Sequence, residues 1–214
     1  FLENKKWKLN SILLTHHHHD HIAGVDILRK KFECKVYGAK KDSYRLPELD
    51  IELGEQNFAI DKLKFKSLDV PGHTIGHLAF YLETENSLFS GDSIMTFGCG
   101  RLFEGTAKQM YESLEKIKKL PKNTKIFSGH EYSLNNANFA LTIEPSNEKV
   151  FQRKEKIKQQ LKKDLPTVPI TLKEELETNP FLRSGVFEIK EKLGLKNHSE
   201  KDIFKKIREL RDNF

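Results

Sequence analysis

Thr15–His21 reads Thr-His-His-His-His-Asp-His, directly after the short apolar run Ser11–Leu14, and the fold turns on how that heptapeptide is read. It holds five of the nine histidines in the chain. An affinity tag stands at a terminus and runs longer; this block is internal, four histidines long and followed by Asp20-His21. A loose, metal-scavenging histidine-rich loop is the plain alternative. Spacing favours a built site. His16 and His18 are two apart, so on leaving a strand they point to the same side and share one ion. Asp20 and His21 follow once the chain has turned, and face a second ion. His17 and His19 point away as non-ligands. Imidazole with carboxylate is a donor set that suits Zn, Fe or Mn.

Three further positions repeat one pattern, an apolar run, a glycine and then a potential ligand. They are Gly72-His73 in VPGHTIGH, Gly91-Asp92 in LFSGDS and Gly129-His130 in IFSGHE. Glycine permits a sharp exit from a strand and close backbone approach. Ligands at the ends of several strands are what an active site at a sheet edge needs. The tally is five histidines and two aspartates. One ion cannot use seven protein donors and still accept a substrate, whereas two ions sharing a carboxylate can, and Asp92 is the natural bridge. His77, four residues after His73, competes for its place. His73 is preferred because it follows the Pro71-Gly72 turn directly, which leaves His77 to orient or pack behind the ligands. His198 reads as a surface residue.

The rest of the chain supplies the frame. Its 214 residues are 37% hydrophobic with 15 Phe, enough for a substantial core. No run approaches the roughly 20 apolar residues of a membrane-spanning helix. Two cysteines, Cys34 and Cys99, make no disulfide framework. Phe1–Asn10 reads as the end of a helix entering a strand, with no secretory signal pattern. Val25–Phe32 has helical character and Lys35–Tyr37 reads as a strand. Period-two alternation marks strands at Leu63 and Phe65 and at Leu78, Phe80 and Leu82. Ser87–Phe89 and Lys125–Phe127 are further strands. Ala107–Leu120 is an amphipathic helix stopped by Pro121. After Glu144-Pro145 strand-like runs vanish and Lys/Glu-rich helices take over. The expected division is a mixed α/β domain at 1–145 and a small helical domain at 146–214. Residues 146–214 carry 17 basic and 12 acidic residues, or +5 of the overall +6. Such an excess suits nucleic acid, an acidic small molecule or a solvated helical face. Aromatic residues are not interleaved with the basic runs, which speaks against nucleic acid.

THHHHDH, PGH, SGD and SGHEY, in that order, resemble the metallo-β-lactamase superfamily. Within it, GCGRLFEGTAKQM (98–110), FSGHEYSLNNANFALTIEP (127–145) and NPFLR (179–183) resemble glyoxalase II, the hydroxyacylglutathione hydrolases, and the likeness runs from residue 1 to the final RELRDNF. The resemblance implies an αββα sandwich followed by a small helical domain, with further strands ahead of the helix that ends near Phe1. A chain that began at Phe1 would leave sheet edges open. It also implies a metal-dependent thioester hydrolase that cleaves S-D-lactoylglutathione to glutathione and D-lactate in methylglyoxal detoxification, with a hydroxide bridging two divalent ions, zinc first, as nucleophile. By resemblance His16, His18 and His73 hold one ion, Asp20, His21 and His130 hold the other, and Asp92 bridges them. Asp20 and Asp92 are the catalytic residues, and Asp20 also orients the hydroxide. Arg101, Phe103, His130, Tyr132, Arg208 and Arg211 line the glutathione site. Some members carry Lys and Tyr where this chain has Arg101 and Phe103, so the charge is kept and a hydroxyl is lost. Cys99 is expected as a packed small residue rather than a nucleophile.

The expected partner is a glutathione thioester, with no nucleic acid and no membrane. A monomer in the cytoplasm is expected, a targeting segment ahead of Phe1 being left open. Two alternatives stand beside this reading. One is another enzyme of the same fold, such as a lactonase, β-lactamase, nuclease or persulfide dioxygenase. The other is a truncated, inactive remnant.

Overall fold

In the computed structural model, which describes residues 1–214, the helix α1 (Leu2–Lys5) leads into the strand β1 (Ser11–Leu13) as the sequence suggests. The first ligand segment ends in a short helix, α2 (His19–Ile22), and α3 (Val25–Phe32) follows. β1 then pairs in parallel with β2 (Lys35–Ala39), and β2 with β3 (Ile51–Leu53), to make a three-stranded sheet.

The second sheet opens with the antiparallel run β4 (Gln56–Ile60), β5 (Leu63–Asp69), β6 (Leu78–Leu82) and β7 (Ser87–Gly91). A small hairpin, β8 (Ile94–Met95) and β9 (Gly98–Cys99), comes next, then α4 (Ala107–Ile117) and β10 (Lys125–Ser128), parallel to β7. Helices α5 (Ser133–Ile143) and α6 (Glu148–Leu161) follow. The strand β11 (Ile170–Thr171) and helices α7 (Leu172–Thr178), α8 (Phe187–Lys192) and α9 (Glu200–Asp212) complete the chain. None of the helices is long and apolar enough to cross a membrane.

Side-chain alternation in β6 shows how the layers stack. Leu78, Phe80 and Leu82 pack between the two sheets with Tyr37, Leu53, Phe58 and Phe65. Ala79 and Tyr81 face the other way, into a 21-residue core shared with Met110, Leu114 and Ile117 of α4 and with Ile203, Phe204 and Ile207 of α9. Val36, next to Tyr37 and so on the opposite face of the three-stranded sheet, shares its cluster with Val25 of α3, and the layers run helix, sheet, sheet, helix, the αββα sandwich that the resemblance implies. Period two in β6 reports two different cores rather than one wet face.

One expectation needs correction. Strands do not vanish after residue 145, because β11 adds an antiparallel edge to β10 with Lys125 opposite Thr171. Only two residues long, it has no room for a recognisable alternation. Helix α5 carries no periodic signal, because Ser133–Ile143 presents apolar and small residues on most sides and so lacks a stripe. Local chemistry fixes three other helix starts. Thr106 with Gln109 opens α4, Thr171 with Glu174 opens α7 and Ser199 with Asp202 opens α9, each a reciprocal capping box. Burial of Ile203, Phe204 and Ile207 against the sheet-facing core then seats α9, each side chain contributing about 1.5–3 kcal/mol.

Candidate metal centre and adjoining cavity

β1 delivers the histidine block to the sheet edge, where Leu78 N–H donates to the Thr15 carbonyl at 2.8 Å. His16 is fully buried, and His18 is the extended residue before α2. Asp20 and His21 lie in the first turn of that helix, so the chain does turn between the two ligand pairs. His16 and His18 meet His73 from the loop after β5. His16 Nε2 lies 3.1 Å from His18 Nδ1, and His73 Nε2 lies 3.0 Å from the same atom. On the other side His21 Nε2 is 3.3 Å from His130 Nε2, and Asp20 Oδ2 is 3.2 Å from the latter. Asp92 stands between the groups, with Oδ2 3.4 Å from His73 and 3.3 Å from His130, and Oδ1 3.5 Å from His21.

These spacings fit ions. Donors 2.0–2.1 Å from a tetrahedral ion lie about 3.3 Å from one another. Three donor groups meet that closeness: His16, His18 and His73; Asp20, His21 and His130; and His16, His21 and Asp92. Asp92 Oδ1 is buried with no hydrogen-bond partner, an acceptor awaiting a cation. Three of the imidazoles, His16, His18 and His73, are pushed toward the neutral form that a ligand needs. Burial first, then the neighbouring rings of His77, His21, His73 and His18, push His16 far below the ordinary histidine range. Burial likewise lowers His73 and His18. His73 Nδ1–H donates to the Arg101 carbonyl at 2.7 Å, leaving Nε2 for the ion.

Two glycines in the ligand motifs have visible reasons. Gly91 takes φ 50°, and a side chain there would meet Thr15 and His77. A Cβ at Gly129 would lie 2.5 Å from Asp92 Oδ1 and 2.8 Å from His21 Cε1. His77 stands behind the donors, fully buried and stacked on His16 at 4.7 Å. Its Nε2 accepts the main-chain N–H of Asp92 at 3.0 Å. His17 turns away, and its Nδ1–H donates to the buried Asp42 at 2.7 Å. His19 also misses the donor groups and lines the rim of the cavity. His198 is exposed.

A cavity of about 620 Å³ runs from these donors to α9. Its near end includes His18, Asp20, His73, Asp92 and His130. All of Arg101, Phe103, Tyr132, Arg208 and Arg211 line the remainder. Phe103, 61% exposed, sets its ring edge-on to His18 and His73. Tyr132 stacks on His130 at 5.1 Å. The two α9 arginines reach the cavity differently. Arg208 is buried, donating to the Cys99 carbonyl at 3.0 Å and to Asp212 at 2.8 Å. Arg211 donates instead to Asn136 Oδ1. Cys99 is buried, and its thiol is pushed up to about 11 by that burial, so it stays protonated.

Met95, Asn136 and Asp212 also line the cavity and were not singled out in the sequence. Asp212 had a signal, four residues after Arg208 on one helix. Asn136 had only its place in the SLNNAN segment.

A family profile described as the metallo-beta-lactamase superfamily matches residues 2–130, and one described as the hydroxyacylglutathione hydrolase C-terminus matches residues 131–214. The hydroxyacylglutathione hydrolase of Cereibacter sphaeroides is 45% identical over 214 residues, covering 100% of this chain and 84% of that protein. Among solved structures, the BLEG-1 B3 metallo-beta-lactamase superposes with a TM-score of 0.64 at 25% identity, covering 85% of this chain and 80% of that one. TTHA1623, solved in a di-iron-bound form, gives a TM-score of 0.53 at 28% identity over 61% of this chain and 74% of its own. Donor chemistry and family together make the cluster a divalent-metal site.

Proposed function

This chain belongs to the hydroxyacylglutathione hydrolases of the metallo-β-lactamase superfamily, and we propose that it holds two divalent ions with which it hydrolyses S-2-hydroxyacylglutathione, S-D-lactoylglutathione first among them. One observation carries the reading: a single cavity has five of the metal donors at one end, flanked by two aromatic rings, and three arginines at the other. His16, His18 and His73 would hold one ion, Asp20, His21 and His130 the other, with Asp92 between. Bound there, the ions supply Lewis-acid polarisation of the thioester carbonyl and lower the pKa of water from 15.7 to about 7.

The protein's own groups do the rest. Asp20 is well exposed to the cavity beside His130, where its carboxylate takes a hydrogen bond from the attacking water and orients it. The water passes one proton to Asp20 as its oxygen adds to the acyl carbon. The carbonyl re-forms as the C–S bond breaks, glutathione leaves as thiolate, and the hydroxy acid gives its remaining acidic proton to solvent. An ordinary thiol titrates near 8.5, so the leaving group needs no dedicated acid. Phe103 and Tyr132 flank the reacting end, while Arg101, Arg208 and Arg211 face the two carboxylates of glutathione. The helical region from residue 146 thus supplies the peptide end of the site through α9.

Zinc is the proposed metal, and iron or manganese suits the same donors. The di-iron form of TTHA1623 supports a pair of ions and keeps iron in contention. A monomer in the cytoplasm, acting on a small thioester without nucleic acid or membrane, completes the reading. The test is turnover of S-D-lactoylglutathione by metal-reconstituted protein, with metals per chain counted on the same sample. Turnover with about two ions supports the proposal. Two ions without turnover move the substrate elsewhere within the fold.

A further inference from the structure

Asn136, on α5, is 5% exposed in the cavity wall, and the reaction outlined above gives it no part. Its amide is fixed from both ends. Nδ2 donates to the Thr96 carbonyl at 3.0 Å. Oδ1 accepts two N–H groups of the Arg211 guanidinium, Nε at 3.3 Å and a terminal nitrogen at 3.1 Å. A carbonyl only accepts and a guanidinium only donates, so the amide has one satisfied orientation.

Its anchor is equally held. The turn between β8 and β9 is gripped by Glu175 of α7, which accepts Phe97 N–H at 3.0 Å, and by Asn179 just after that helix, which donates to the Gly98 carbonyl at 2.9 Å. Asn136 therefore ties Arg211 to a turn whose polar groups are matched elsewhere.

The consequence is electrostatic. Arg208 is ion-paired with Asp212 at 2.8 Å, and the same carboxylate lies 3.7 Å from Arg101. Arg211 has no carboxylate within the 4.0 Å of an ion pair, and the guanidinium packs 5.7 Å from the Phe139 ring. A neutral oxygen aims it. An anion gains most from a cation whose charge is not already spent on a neighbour and whose fork is held in place.

We propose that Asn136 is a positioning residue that presents Arg211, with its charge uncompensated, to a carboxylate of the glutathione moiety. This rests on the reading of the cavity as a glutathione-thioester site. Asn136→Ala releases the guanidinium. Asn136→Asp keeps shape and acceptor but neutralises Arg211 and sets a carboxylate against the Thr96 carbonyl.

A double-variant cycle tests it, with metal-loaded wild type, Asn136→Ala, Asn136→Asp, Arg211→Ala and Asn136→Ala/Arg211→Ala. Each single variant is expected to raise KM for S-D-lactoylglutathione roughly tenfold, with kcat within about twofold. Calorimetric affinity for reduced glutathione should fall in parallel, with metals per chain unchanged. The double variant should be no worse than Arg211→Ala, because both changes remove one interaction. Additive losses overturn the proposal. So does a fall in kcat and metal content with KM and glutathione affinity intact, which a mere prop for the turn would give. Should Asn136→Ala fail to fold, Asn136→Asp closes the cycle. A wild type that turns over the thioester while its variants behave additively refutes the positioning role alone. An inactive, fully loaded wild type refutes the substrate reading and takes this proposal with it.

Discussion

The main-chain N–H of Asp92 donates to Nε2 of His77 at 3.0 Å, so the carboxylate between the two donor groups is aimed by a histidine that belongs to neither. His77 is fully buried and stacked on His16, and burial holds it in the neutral form that can accept. His77→Leu keeps the volume and loses the acceptor. Metal affinity should fall roughly 10–100-fold, the usual cost of removing a group that orients a ligand. Titration of stripped protein with Zn²⁺ against a chromophoric competitor measures this, and unchanged affinity would remove His77 from the site's machinery. His77→Gln, which retains an acceptor, should fall between.

Asp92 itself offers a sharper test. It is the one carboxylate near both His73 and His21, and its buried Oδ1 accepts no hydrogen bond from the protein. Asp92→Ala should lower turnover by more than the roughly 100-fold expected for an orienting group. Metals per chain should drop with it. Turnover like that of wild type would sink the shared-carboxylate arrangement.

Stability should hinge on a buried pair far from the metals. Arg153 donates to Glu175 at 2.5 Å and lies 4.1 Å from the Phe97 ring, with both charged groups nearly inaccessible. Arg153→Leu strands the Glu175 charge and should cost about 3–5 kcal/mol, read from the urea midpoint. Arg153→Leu/Glu175→Leu should recover part of that loss, since the remaining penalty of a lone buried charge is gone. A double variant less stable than both singles would show that Glu175 matters chiefly through Phe97 N–H and Asn179.

How much of this was legible in the sequence depended on distance along the chain. His16 to His21 lie within one strand exit and one helical turn, so spacing alone separated the two donor groups. Asp92 and His130 were readable because each follows a glycine that the crowded centre demands. The Arg211–Asn136 contact joins residues 75 apart, on helices brought together only by the shared core. Nothing local marks such a pair. Arg208 shows the same limit in reverse. Its spacing from Arg211 is helical and puts both on the cavity side, yet sequence did not reveal that Asp212 and the Cys99 carbonyl occupy it. β11 was hidden because two residues carry no period.

Cys99 provides a test that separates a packed thiol from a working one. Burial raises it to about 11, partly offset by Arg208, so at pH 8 only about one molecule in a thousand carries the thiolate. A free thiol of pKa near 8.5 would be about a quarter ionised at that pH. In a Cys34→Ala background, alkylation by iodoacetamide at pH 8 should therefore run at least about 100-fold slower in the native protein than in denaturant. The sign follows from deprotonation, so the native rate should climb about tenfold per pH unit between 8 and 10 rather than level off near 8.5. Phe204→Ala, which loosens α9 over the shared core at a cost of about 3–5 kcal/mol, should speed the reaction by opening the cover without changing the thiol itself. A native rate that already matches the denatured one would make Cys99 an accessible, ionised thiol, and would overturn its reading as a packed, protonated residue.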